Sequence, residues 1–230
     1  MLFFNARELF ENPPALLAYL AAFIVTFMTG LAFHEFSHAW AAYEQGDDTA
    51  ARQGRLTLNP VAHIDPLGAV LLLMVGFGWA KPTPFNPYRL SKGPRWGSVI
   101  VAGAGPASNF FFAALAALPI KLGLIDSITS FNNISNASGE QIVGLFLVFV
   151  AWINVILGVF NLIPIPPLDG FKVATGILPP NIARHLQALA PWGPGILMTL
   201  FVLSWVAPPE YNILGWFIGG VGNEVFNLIT

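Results

Sequence analysis

Apolar residues run almost without interruption from Ala15 to Tyr43, and comparable runs recur at Trp96–Ile120, Ile142–Ile163 and Gly195–Ala207. A helix needs about 20 apolar residues to cross a bilayer. The first run, taken from Pro14 to Tyr43, is long enough to tilt or project, and Gly46 with Asp47 and Asp48 supplies its stop. The stretch Pro60–Ala80 is only marginally long enough and is interrupted by Pro66, Gly68, Gly76 and Gly78. A partly polar helix is expected near Asn181–Ala190, and the closing stretch Tyr211–Thr230 is apolar but rich in glycine. The pattern predicts an all-α polytopic membrane protein with about five or six membrane segments. No long charged or Ser/Gly-rich linker divides it, so residues 1–230 are expected to form a single domain.

Lysine and arginine positions set the expected orientation. Arg52 and Arg55 lie in the connector 44–59, and Lys81, Arg89, Lys92 and Arg95 lie in the loop 81–95, which places both on the cytoplasmic side. A full crossing by residues 60–80 would separate them. A re-entrant segment or β-hairpin around residues 60–90 is therefore favoured, since irregular backbone is tolerated where protein buries it. The N-terminus then lies outside, and Lys172 and Arg184, which follow the run Ile142–Ile163, agree with this arrangement. The expected setting is the plasma membrane, crossed several times.

Composition sharpens the class. With 55% hydrophobic and 10% charged residues and a mean hydropathy of +0.66, the chain is far more apolar than a soluble domain. A net charge of −2 and ten Lys and Arg residues give no broad basic surface for nucleic acid. The absence of cysteine excludes disulfides, thiolate ligands and a cysteine nucleophile, so any bound metal must be held by His, Asp or Glu. Met1–Glu11 carries one Arg and two Glu rather than a basic signal region, so the first helix is expected to stay in the mature protein. Oligomeric state is not readable from these features.

Within the first apolar run the strongly polar side chains are His34, Glu35 and His38. Ionisable groups at such depth are usually functional. Residues four apart share a helix face, so His34 and His38 can aim at one ion with Glu35 beside them. Two histidines and a carboxylate suit zinc, and a carboxylate next to a metal-bound water is placed to take its proton. H-E-x-x-H on a helix is a metalloprotease signature. The run Asn161-Leu162-Ile163-Pro164-Ile165-Pro166-Pro167-Leu168-Asp169-Gly170 stops the later helix with three prolines and offers Asp169 at similar depth. Taken alone, Asp169 fits a helix N-cap as well as a metal ligand; beside the histidine pair, the ligand role is the better reading.

These two motifs, with Gly103-x-Gly105-Pro106-x-x-Asn109 between them, resemble the site-2 protease family of intramembrane zinc metalloproteases, in a compact form without PDZ or CBS domains. The resemblance implies that His34, His38 and Asp169 ligate zinc and that Glu35 is the general base. It further implies that Asn161 helps hold the substrate backbone, and that substrates are transmembrane proteins or peptides cut within the lipid bilayer. The segment Leu58–Gly68 is an addition relative to minimal members.

A competing class is a metal-ion carrier or transporter that passes an ion through the same ligands; dependence on Glu35 separates the two. Among other residues, Asp65 with Pro66 reads as a helix start, and His63 remains open between that neighbourhood and a group orienting a zinc-bound histidine. His185 reads as an interfacial side chain. The small residues from Ala102 to Ser108 fit close helix packing, with Asn109 bonding across helices. In the segment Gly78–Pro87, Pro82 and Pro84 delete donors from one edge of an extended strand, leaving the other edge free to pair with an unwound substrate.

Overall fold

The computed structural model describes residues 13–75, 78–126, 138–206, 208 and 211–230. Met1–Glu11 and Gly76 lie outside the described residues. The helices in chain order are α1 (Pro13–Glu44), α2 (Thr49–Arg52), α3 (Pro66–Val75), α4 (Gly93–Lys121), α5 (Gly139–Asn161), α6 (Asp169–Ile177), α7 (Pro180–Gln187), α8 (Gly193–Val206) and α9 (Ile213–Ile229). Four helical stretches among the described residues are long and apolar enough to cross a membrane. They are Leu16–Glu44, Gly93–Lys121, Gly139–Asn161 and Pro180–Val206, the last running through α7 and α8. The protein is an all-α membrane protein. The 17 residues of α9 make a shorter apolar helix.

Helices α1, α4 and α5 pack against one another, with α9 against α5 and α6 against α4. Small side chains make the close approaches: Ala18 and Ala22 of α1 meet Leu145 and Phe149 of α5, and Ala113 and Ala117 of α4 meet Trp152, Val155 and Phe226. Without a hydrophobic force between helices in lipid, such contacts hold by van der Waals fit. Helix ends follow from sequence. At the end of α1, Asp47 N donates to Ala42 O and Gly46 N to Tyr43 O, with Gly46 at φ +95°, a Schellman ending that glycine makes without strain. Ser138 and Gln141 form a reciprocal capping box at the start of α5.

The stretch Pro60–Ala80 does not form one spanning helix. The ten residues of α3 rise about 15 Å, half the hydrocarbon thickness. Ile64 and Ala80 meet in an antiparallel bridge, and Lys81 N donates to His63 O at 2.8 Å, so the excursion closes where it began. That single bridge is what corresponds to the hairpin alternative; no strand forms among the described residues. Asp65 starts α3 as expected, accepting from Gly68 N at 2.9 Å.

After this excursion the chain is clamped to the end of α1. Asp47 is fully buried and accepts from Asn86 N and from Thr49 N and Oγ1. Ser91 N donates to Gln45 O at 2.8 Å, and Arg89 reaches Asp48 at 2.7 Å. The hydrogen bond from Arg52 and the nearby guanidinium charges, outweighing desolvation, hold the Asp48 carboxyl below its ordinary value. Substituting Asp47 with Ala would strand the Asn86 amide, a loss of about 1–3 kcal/mol. Thermal unfolding should shift down accordingly, and amide exchange should accelerate at residues 83–91 before it does in α4.

Candidate metal centre

The second half of α1 carries His34, Glu35 and His38, all buried at 6–7% exposure. Asp169, 8% exposed, arrives from the far end of α5. The prolines end that helix, and the turn 162–168 doubles back so tightly that a Cβ on Gly170 would overlap the Leu162 carbonyl. Leu168 occupies the N-cap and Asp169 the first position of α6, which frees the carboxylate from capping. Its Oδ2 lies 3.1 Å from His34 Nε2 and 3.0 Å from His38 Nε2. The three side chains form a group able to hold a metal ion, their ligand atoms all within 4.8 Å of one another.

The far side of each imidazole decides what the near side can do. Val150 O can only accept, so Asn154 presents Nδ2 to it at 2.9 Å. Asn154 Oδ1 therefore faces Asn109, whose Nδ2 donates at 3.1 Å, and Asn109 Oδ1 then faces His34 Nδ1 at 2.7 Å. His34 must carry its hydrogen on Nδ1. His38 Nδ1 meets Val101 O at 2.6 Å and is fixed in the same way. In the neutral imidazoles both Nε2 atoms are then lone pairs aimed at a carboxylate oxygen. A cation relieves that repulsion, and imidazole nitrogens oriented by outer hydrogen bonds are the usual arrangement at zinc. Ligand atoms bonded to zinc at 2.0–2.1 Å in a tetrahedron are about 3.3 Å apart, close to the separations found here. Gly105 leaves room for the rings: a Cβ there would overlap both imidazoles.

Glu35 points elsewhere than the histidines. Its Oε2 accepts from Thr83 N at 3.0 Å and Thr83 Oγ1 at 2.7 Å, while Oε1 has no hydrogen bond among the described residues. This narrows the open-edge expectation for Gly78–Pro87. Of the amides on the edge that Pro82 and Pro84 leave available, Lys81 N is taken by His63 O and Thr83 N by Glu35, because a buried carboxylate requires donors, and Phe85 N alone makes no hydrogen bond among the described residues.

The structure brings His34, His38, Asp169 and Glu35 together as the motifs suggest. Asn161 does not join them by a hydrogen bond; its Nδ2 returns to Leu157 O at 2.9 Å. His63 is fully buried and donates from Nε2 to Thr57 O at 2.8 Å, with no hydrogen bond to His34, His38 or Asp169. His185 is exposed and bonds Asn181 O within α7. Asn109 serves both as an interhelical bond and as the partner of His34. Thr83 and Asn154 were not anticipated. An Asn in the middle of the apolar α5 was the available signal for Asn154, whereas nothing local distinguishes Thr83.

A buried two-histidine, one-carboxylate centre inside an apolar helical bundle defines a membrane metalloprotease type of site. Comparison with known proteins places it: the chain belongs to peptidase family M50, whose family model matches residues 22–190. It is 38% identical over 210 residues to "Putative zinc metalloprotease YwhC" of Bacillus subtilis, covering 87% of this chain and 89% of that protein. It is 31% identical over 214 residues to "Putative zinc metalloprotease Rip2" of Mycobacterium tuberculosis, covering 89% and 74%. The Rip2 of Mycolicibacterium smegmatis is 28% identical over 209 residues, covering 87% and 75%. No solved structure matches. The protein is a zinc metalloprotease.

Replacing Asn109 with Leu removes the acceptor that fixes the His34 tautomer. Zinc affinity, measured by competition with a chromogenic chelator, should fall about 10- to 100-fold while the helical circular dichroism signal is kept.

Proposed function

We propose that the protein is an intramembrane endopeptidase, acting through a single domain over residues 1–230 on peptide bonds in or near transmembrane segments of other membrane proteins. His34, His38 and Asp169 are the zinc ligands and Glu35 is the general base. The observation that carries this reading is the division of labour in Glu35: Thr83 pins Oε2, and Oε1 has no hydrogen bond among the described residues.

When bound, zinc supplies a Lewis acid that polarises the scissile carbonyl and acidifies water. Glu35 takes a proton from the attacking water through Oε1 and returns it to the leaving amine nitrogen. Thr83, bonding the other oxygen through both backbone and side chain, keeps the carboxylate from rotating away. The closed carboxamide chain through Asn109 and Asn154 keeps His34 from swinging. Asn161, the last residue of α5 before the ligand loop, has an Oδ1 without a hydrogen bond among the described residues, with which to accept an amide of an unwound substrate. Such unwinding is required, because a transmembrane helix pairs its own amides.

Depth and sidedness follow from α1. His34 and His38 lie about 15 and 9 Å from the helix end at Glu44. That end, with Arg52, Arg55 and Arg89 around it, fits the cytoplasmic side of a plasma membrane by the positive-inside rule. The closed base at Ile64 and Ala80 supports a re-entrant course for α3, since both ends of the excursion emerge together.

Purified protein mixed with a helical transmembrane peptide bearing a central Gly-Pro break should cleave it. Glu35→Gln should lower turnover by about 10²- to 10⁴-fold with zinc content unchanged. Retained cleavage by Glu35→Gln would sink the assignment of the base, and metal flux through proteoliposomes without cleavage would favour the carrier reading. Thr83→Val keeps one of the two donors, so kcat should fall about tenfold with little change in KM; an equal rate would remove Thr83 from the mechanism.

A further inference from the structure

A second site lies on the other side of α6, away from the ligands. A cavity of about 390 Å³ opens between the start of α4, the body of α6 and the length of α7, and it is lined by Arg95, Lys172, Arg184 and Gln187 among others, with no Asp or Glu in its wall. Its volume is in the range of small-ligand sites. Three of the chain's ten Lys and Arg residues meet there, in a protein whose net charge is −2.

None of the three cations is paired with a carboxylate among the described residues. Arg95 donates Nε to Gly176 O at 2.6 Å and Nη2 to Leu178 O at 2.8 Å, capping the carbonyl end of α6 and leaving Nη1 without a hydrogen bond. Lys172 Nζ stands 5.4 Å from the centroid of the Phe85 ring. Arg184 makes one long bond, Nε to Pro180 O at 3.4 Å, within its own helix. Three like charges around one hollow repel one another, and an anion with several oxygen acceptors neutralises them.

The location argues for what carries that anion. Both walls are the starts of membrane stretches, Gly93–Lys121 and Pro180–Val206, so the cavity sits at the membrane boundary. Exposed apolar side chains adjoin the lining residues in the chain: Trp96 next to Arg95, Ile177 between Gly176 and Leu178, and Ile182 next to Ala183 are 48–54% exposed. A basic hollow next to exposed apolar and aromatic side chains at that level matches a phosphate headgroup with its acyl chains.

We propose that this cavity is a binding site for the phosphate group of an anionic ligand, held by Lys172, Arg184 and Arg95, with an anionic phospholipid headgroup as its source. The site does not depend on the proteolytic mechanism.

The test compares wild-type protein with Lys172→Gln/Arg184→Gln, zinc content certifying the fold of each. Both are placed in micelles doped with phosphatidylglycerol or with phosphatidylcholine of the same acyl chains, and native mass spectrometry counts retained lipid. Wild type should prefer phosphatidylglycerol, and the double variant should lose about thirtyfold of that preference. Inorganic phosphate is titrated in a separate arm. Phosphate that binds wild type, not the variant, and displaces phosphatidylglycerol would identify a soluble phosphate as the source; no displacement at millimolar phosphate would identify the lipid. Equal retention of the two lipids by wild type together with no phosphate binding, or a preference that survives in the double variant, overturns the proposal. The wild-type comparison stands even if the variant does not fold.

Discussion

The carbonyl of Val150 can only accept a hydrogen bond, and much of the centre depends on that. Its direction passes through Asn154 and Asn109 to His34, across three helices, and leaves Nε2 as a bare lone pair. Each carboxamide has one donor face and one acceptor face, so once the first is set the others have no freedom. In a lipid-surrounded bundle with no bulk water to satisfy a reversed amide, reversing either carboxamide alone would bury two mismatched pairs. The tautomer of His34 is thus a property of helix packing. Gly30, whose absent Cβ would stand 3.1 Å from Asn154 Oδ1, is part of the same constraint.

The same logic explains the loop after α3. A buried glutamate needs donors, and Thr83 provides two to one oxygen. That anchoring is in turn secured by Asp47, which holds Asn86, and by Gln45, which holds Ser91. The chain between residues 81 and 91 therefore runs as a brace along the end of α1, fixed at Thr83 by Glu35 of that helix and at Asn86 and Ser91 by Asp47 and Gln45 just past its end. Glu35 is restrained from outside its own helix, while the histidines are restrained from the helices behind.

Much of this was legible in the sequence. The apolar runs located the long helices to within a few residues, because a helix in lipid has no competing pattern. The spacing of His34 and His38 placed two imidazoles on one face, and the prolines after Asn161 announced the turn that presents Asp169. What escaped has physical reasons. Thr83 is 48 positions from Glu35 and sits in a proline-flanked irregular segment whose amides looked unclaimed; only the fold brings a carboxylate to them. Gly105 was readable as a packing glycine, but what it admits is a pair of imidazoles rather than a neighbouring helix, while Gly103 in the same motif faces open space. Asn161 carries a motif resemblance, yet its amide bonds back to its own helix, so its part depends on a substrate.

The bridge between Ile64 and Ala80 has a consequence for how such a chain can diversify. Everything between these residues leaves and re-enters at one point, so its length and sequence do not set the distance from α1 to the brace at Thr83. Loop closure costs rise only slowly with length. The excursion is therefore an evolutionary cassette: a lineage can lengthen it, shorten it or change its apolar surface to meet different neighbours, and inherit the metal centre unaltered.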